Sequence, residues 1–354
     1  MKIMKKMILS LVLAIMGVTG CFAQTDLVAT LSHGTSLSTF IGDSALVKAH
    51  AAAVEGDVIT LSPGVFKGTT INKAITLRGA GMNTMESNGY TCTQISGAFT
   101  INVPSNTSST LTFEGVNALG VVSINGNNLA PINFNRNRFN AGVTGYGVSM
   151  TAFSCVFASG LRAQNNEYGV NNLKNTTLNC YNCVICYAGS DGYVRDNVIG
   201  KIQATNCVVT LEYTSVGYST FTNCIIVSSN NNDNYPLPQT CSAQNCIGIN
   251  SKSTPNVFQN IENSSNVMIE GTGSTAFKSV FKTLGSLVNN PAINETFELT
   301  DEAAATYLGD DGTQVGIYGG PNPFDPTPMN PQIKKFTVES SNSNGKLSVK
   351  IKVE

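Results

Sequence analysis

From Val58 onward the chain is built of short stretches in which apolar and polar residues alternate. Val58-Ile59-Thr60-Leu61, then 74–78, 99–103, 110–113, 121–124 and 131–134, are each four or five residues long and bounded by Gly, Asn or Ser. Period-two runs of this length predict β-strands. A short phrase then recurs: Asn, one further residue, then β-branched or aromatic residues. It stands at Asn137-Arg138-Phe139, Asn166-Glu167-Tyr168, Asn182-Cys183-Val184-Ile185, Asn206-Cys207-Val208-Val209, Asn223-Cys224-Ile225-Ile226 and Asn245-Cys246-Ile247. Asn266-Val267-Met268-Ile269 is a weaker copy, and from Asn182 the steps are 24, 17, 22 and 21 residues.

A period of roughly 20 residues with short β-rich runs suits one turn of a β-solenoid. Leucine-rich repeats share the period, but no Leu-x-x-Leu-x-Leu recurs. Helical repeats need apolar spacing near 3.6, and that is lacking too. Asn suits the turns, because it tolerates the left-handed backbone and bonds its own main chain. Stacked Asn amides are expected to form ladders between coils. The Cys of Asn-Cys-Ile is expected to point inward as a small hydrophobe. Ahead of the strands, Asp43 or Ser44 caps a predicted helix over 45–53 that Gly56 ends, an element suited to covering a solenoid's first coil.

The phrase Gly56-Asp57-Val58-Ile59-Thr60-Leu61-Ser62-Pro63-Gly64-Val65-Phe66, followed by Ile75-Thr76-Leu77-Arg78-Gly79-Ala80-Gly81, resembles the opening of pectin-lyase-like right-handed parallel β-helix proteins. The resemblance covers roughly residues 40–285 and speaks for the fold more than for an activity. It implies an all-β chain: a right-handed single-stranded parallel β-helix with an N-terminal capping helix and a small C-terminal β extension. The expected divisions are a signal peptide at 1–23, the cap at 24–56, the β-helix at 57–285 and a closing coil at 286–321. That coil resembles the last coil of exported bacterial β-helix proteins. Residues 322–354 are expected to hold a Pro-rich linker and a hairpin around Asn344-Gly345, either packed on the helix or opening an immunoglobulin-like module.

The front end sets the compartment. Lys2, Lys5 and Lys6 precede an apolar run from Met7 to Gly20, too short to span a bilayer. Cys21-Phe22-Ala23 reads as a signal peptidase I site, and Val18-Thr19-Gly20-Cys21 as a lipobox that would lipidate Cys21. Either reading places the protein outside the cytoplasm of a Gram-negative bacterium, secreted or on the cell surface. A membrane contact is expected only through that lipid.

Charge is sparse. Lys and Arg total 21 and Asp and Glu 22, while Asn alone numbers 40, so polarity comes from amides. No basic excess exists to neutralise phosphates, and no nucleic-acid partner is expected. A lyase needs a base and a cation or cationic side chains for the uronate. Between 79 and 277 the charges concentrate only at Asp191-Gly192-Tyr193-Val194-Arg195-Asp196 with Lys201 nearby. Asp191, Arg195 and Lys201 are therefore the candidate catalytic residues, against a plain surface loop. Asn231, Asn232 and Tyr235, in an inserted amide-rich loop, and Tyr193 are the candidate glycan-binding residues, since amides and Tyr offer hydrogen bonds without charge. Tyr146, Tyr168, Tyr187, Tyr213 and Tyr218 are further stacking candidates, or else fill the coils. Cys180-x-x-Cys183-x-x-Cys186 has metal-ligand spacing, but the repeat phrase explains it as core or ladder cysteine, and no metal is assigned. Asp310-Asp311-Gly312-Thr313 reads as a turn or a Ca²⁺ loop, and Ca²⁺ is the only ion that enters. His33 and His50 both precede the coils. The expected function is an exported, non-catalytic glycan-binding or adhesin-like protein with a polysaccharide or a host or plant glycan as partner. A polysaccharide lyase or glycoside hydrolase is the first alternative and a structural stalk the second.

Overall fold

The computed structural model describes residues 27–83, 92–102, 107–125, 131–164, 175–190, 200–228, 236–250, 256–262, 265–285, 291–293, 295–327, 333–338 and 349–353. The chain is mostly β, arranged in two long sheets as a β-helix-like solenoid would be, and neither sheet closes on itself. The first sheet has eleven strands. Nine of them run parallel in chain order, from Val58–Leu61 through Thr76–Arg78, Leu111–Glu114, Ile132–Asn135, Ser149–Phe153, Thr176–Tyr181, Gly200–Thr205 and Thr220–Thr222 to Ser242–Gln244. Their side chains alternate between core and surface, as period two requires.

The second sheet begins as two ribbons. One stacks Gly64–Lys67, Thr93–Ser96, Val116–Ala118, Arg138–Phe139 and Val156–Phe157, and the other Thr70–Ile71, Phe99–Ile101, Val122–Asn125, Val143–Tyr146 and Leu161–Gln164. Val184–Ser190 pairs with the last strand of both and merges them. Later coils thus turn fewer corners. Inside, Phe99, Phe113, Phe134, Phe139 and Phe157 form a chain of ring contacts with centroids 5.0–5.4 Å apart, edge-to-face or tilted except for the stacked Phe139–Phe157 pair.

The step from first to second sheet uses one left-handed residue per coil. Gly115, Arg136, Ser154, Asn182, Asn206, Asn223 and Asn245 all have φ between 50° and 64° there. Asn relieves the strain of this geometry better than other non-glycine residues, which explains the recurring Asn. The following residue points inward and forms a ladder, made of thiols rather than amides. Each backbone N–H of Asn137, Cys155, Cys183, Cys207 and Cys224 donates to the Sγ of the next coil's cysteine at 3.4 Å. Each thiol donates back to a carbonyl of the coil before, such as Cys207 to Cys180 at 3.4 Å. Amides finish both ends: Asn137 Oδ1 accepts from Val116 N at 3.0 Å, and Asn266 Oδ1 accepts from Cys246 N at 3.0 Å. The expected Asn ladder is reduced, among the described residues, to Asn140 donating to Asn117 at 2.6 Å. Two of the turn amides, Asn182 and Asn223, have another partner.

That partner is the C-terminal segment. Helices α1 (Ala45–Ala52), α2 (Gly273–Val280) and α3 (Asp301–Thr306) complete the chain's regular structure. Helix α1 buries Ala45, Leu46 and Ala49 on the first coils. An antiparallel pair, Val28–His33 with Ser36–Ile41, extends the first sheet beside it. Residues 295–325, read from the sequence as closing coil and linker, lie along the outside of the second sheet. Phe277, Phe281, Leu299, Val315 and Ile317 form a second apolar cluster there with Val184, Val208, Ile225 and Ile247. Asn182 Nδ2 donates to the carbonyls of Ile317 and Gly319, and Asn223 exchanges hydrogen bonds with Asp310. Ile333–Val338 pairs antiparallel with Val349–Val353, the hairpin expected from the Asn344-Gly345 turn.

Candidate functional site

The outer face of the first sheet carries a continuous polar lane. Strand register aligns Val58, Thr76, Thr112, Asn133, Thr151, Asn179, Gln203, Thr220 and Ser242 in one row. Two residues along each strand, a second row aligns Thr60, Arg78, Glu114, Asn135, Phe153, Tyr181, Thr205, Thr222 and Gln244. Neighbours in a row sit one strand spacing apart, about 4.8 Å. The first row holds no charge and the second is charged only near its head.

Phe153 and Tyr181 stack with centroids 4.9 Å apart and planes at 15°. They are 41% and 37% exposed, unusual for a stacked pair that packing alone would bury. The pair is a flat apolar platform beside amides and hydroxyls. A shorter polar row, Thr70, Thr100, Ser123, Thr144 and Arg162, runs up the second sheet without such a platform.

At the head of the lane is a charged cluster. Glu114, 6% exposed, receives Arg78 Nε at 3.3 Å and faces Arg136 at 3.9 Å. Arg136 also reaches Asp325 at 3.6 Å, which ties the C-terminal segment to this corner. Glu114 Oε1 and Arg136 Nε are buried without a hydrogen-bond partner among the described residues. Partial burial opposes ionisation of Asp325, but hydrogen bonds from Thr327 and the Arg136 guanidinium hold its carboxyl below the usual carboxylate value.

Of the residues singled out by sequence, Lys201 lies in register with Ser149 and Thr177 at the near edge of the lane. Asp191, Tyr193, Arg195, Asn231, Asn232 and Tyr235 lie outside the described residues, as does the whole of 1–23 with Cys21. Tyr146 is half-buried on the second sheet, and Tyr218 is a half-buried left-handed residue two positions before Thr220, at the near edge of the lane. Cys180 faces the core, Cys183 belongs to the ladder and Cys186 joins the outer apolar cluster, so their spacing gathers no ligand set. Among the described residues no group of three His, Cys, Asp or Glu is placed to hold a metal. Burial pushes the Cys155, Cys207 and Cys246 thiols well up and Cys186 to about 12. Against the same burial, hydrogen bonds from neighbouring thiols pull Cys183 and Cys224 down. Asp310 accepts from Asn223 and Asp311 from Thr313, within the segment read as a turn or a Ca²⁺ loop. His33 pairs with Asp57 at 2.7 Å in the N-terminal cap, and His50 is buried in α1.

Residue reading missed Phe153, Tyr181, Arg78, Glu114 and Arg136. The signal for the aromatics was present only as two strand residues followed by a turn in adjacent coils, Phe153-Ser154 and Tyr181-Asn182. Comparisons of the chain with protein-family models, with curated proteins and with solved structures find no match.

Proposed function

We propose that this chain is an exported right-handed parallel β-helix of the pectin-lyase-like kind that binds an extended glycan along the first sheet and does not cleave it. One observation carries the reading: an exposed, stacked Phe153–Tyr181 platform set in rows of Thr, Asn and Gln that repeat at the strand spacing. Aromatic faces take the apolar face of a sugar ring, and amides and hydroxyls take its hydroxyls without a charge requirement. Many weak contacts in a row suit a polymer, because each further unit binds at high effective concentration.

Affinity electrophoresis of residues 24–354 against xylan, mannan, hydroxyethylcellulose and polygalacturonate tests it. Retardation by at least one polymer is expected, and Tyr181→Ala and Phe153→Ala should each weaken it by about tenfold. No retardation, or retardation indifferent to both variants, refutes the reading.

A second reading, hydrolysis or lyase chemistry, is favoured by Glu114 between the guanidinium groups of Arg78, on the same row, and Arg136, in the turn beside it. Glu114 and Asp325 flank one Arg136, and glycoside hydrolysis uses two carboxylates roughly 5–10 Å apart. Release of reducing ends or unsaturated uronates that Glu114→Gln abolishes would establish that reading instead.

A further inference from the structure

The tail of the lane differs from its head. Ser242–Gln244 is the last strand of the first sheet, so both rows stop there. Beyond it lies a pocket of about 460 Å³ lined by Gln239, Cys241, Ser242, Asn260, Ile261 and Glu262. We propose that this pocket holds the terminal unit of the glycan chain lying in the lane, and that this unit carries hydroxyls and no acid group. The proposal rests on the binding reading above and deepens it.

Continuity joins pocket to lane. Ser242 Oγ donates to Thr220 Oγ1 at 3.3 Å, so the row of hydroxyls leads into the pocket without a break. Val257 and Phe258 are buried in the end of the core, and Asn260, Ile261 and Glu262, which follow them in the chain, form the far side of the pocket. Asn260 Nδ2 donates to the Leu237 carbonyl at 3.1 Å, which fixes that side to the coil beneath. A chain following the row past Ser242 meets these residues, whereas at the head the sheet continues past Val58 and Thr60 into the antiparallel strands Val28–His33 and Ser36–Ile41. The volume lies within the range of roughly 300–1,000 Å³ for small-molecule sites, a size for a short end piece.

The lining selects the chemistry. Gln239 and Asn260 offer amides, Ser242 a hydroxyl and Ile261 an apolar patch, while Glu262 is the one charged group among these. Burial pushes the Cys241 thiol up to about 11, and it donates to the Val216 carbonyl, so it adds no charge. Hydroxyl groups find acceptors and donors here, and a terminal uronate would face Glu262 with no cation in the lining to offset it.

A ligand bound by its end is counted by ends. The test takes whichever of xylan, mannan and hydroxyethylcellulose binds, cuts it partway to shorter chains, and measures protein bound per gram at saturation. Binding capacity should rise in proportion to the number of chain ends, and Ser242→Trp should weaken affinity by at least about tenfold. Glu262→Gln, which removes the acid group from the lining, should raise the binding of oligogalacturonate relative to that of the neutral polymer. Capacity that ignores chain length, or a Ser242→Trp protein with unchanged affinity while Tyr181→Ala is impaired, overturns the pocket and leaves the lane standing. Oligogalacturonate held more tightly than the neutral polymers overturns the exclusion of acid groups. No binding to any polymer removes the lane reading and the pocket with it.

Discussion

Asn137 is the place to test whether the ladder is held by hydrogen bonds or by mere filling of space. Its side chain is 1% exposed and closes the upper end of the thiol stack. Oδ1 accepts from Val116 N at 3.0 Å and Nδ2 donates to the Phe113 carbonyl at 2.9 Å. A cysteine one coil on makes the same two kinds of bond through one sulfur: Cys155 accepts from Asn137 N and donates to Phe134. Asn137→Ala leaves the Val116 N–H and the Phe113 carbonyl unpaired in the core. Each such group costs about 1–3 kcal/mol, so a loss of roughly 2–6 kcal/mol is expected. Asn137→Cys restores one acceptor and one donor in a smaller volume and should stay within about 1 kcal/mol of the native protein.

Urea unfolding followed by circular dichroism, under reducing conditions, gives both differences. Exchange of the Val116 amide localises them: fast in Asn137→Ala and protected in Asn137→Cys. Equal destabilisation by Ala and Cys would refute the equivalence of amide and thiol. A loss below about 0.5 kcal/mol for Ala would refute the role of the hydrogen bonds altogether.

Two further perturbations probe the C-terminal segment. Asn223 combines a left-handed backbone with the reciprocal bonds to Asp310, so Asn223→Gly should lose only the bonds, about 1–2 kcal/mol, while Asn223→Ala adds roughly 1 kcal/mol of backbone strain; the order Gly above Ala in melting temperature checks this. Asp325 has a folded pKa below its unfolded one, so its contribution is present above about pH 4 and fades as pH falls through the folded value. The melting temperatures of wild type and Asp325→Asn should therefore differ at about pH 6 and draw together as pH falls below about 4, and a gap that widens in acid would contradict the assignment.

Much of the fold was legible because its determinants are local. Alternation gave the strands, Gly56 to Gly81 gave the first coils, and the recurring Asn gave the left-handed turns. The hairpin over Val28–Ile41 was readable from its alternation about Gly34 and was passed over. Helices α2 and α3 are only eight and six residues long, and their packing on a sheet from earlier in the chain is what shows them. The expected Asn ladder failed for a geometric reason. A left-handed residue directs its side chain out of the turn, so Asn182 and Asn223 reach the C-terminal segment, and the cysteine after each turns inward. The stacking amide and the turn-forming amide are different positions.

The candidate site was less legible because it exists only across coils. Phe153 and Tyr181 are separated by 28 residues and Arg78 and Glu114 by 36, while other coils advance by 17 to 24. Unequal coil lengths hide any fixed period, and the rows emerge only from strand register. Register also narrows where a ligand can lie. From Val156–Phe157 and Val184–Ser190 onward the second sheet is covered by the segment that Asn182 and Asn223 hold in place. The second ribbon offers a polar row over five coils and then merges at Val184–Ser190. The first sheet runs unbroken through nine parallel strands, with its apolar platform exposed near the middle. A chain that spends its turn amides on covering one face and keeps hydroxyls and amides in register on another has placed its exposed aromatic pair where a long, uncharged ligand can lie.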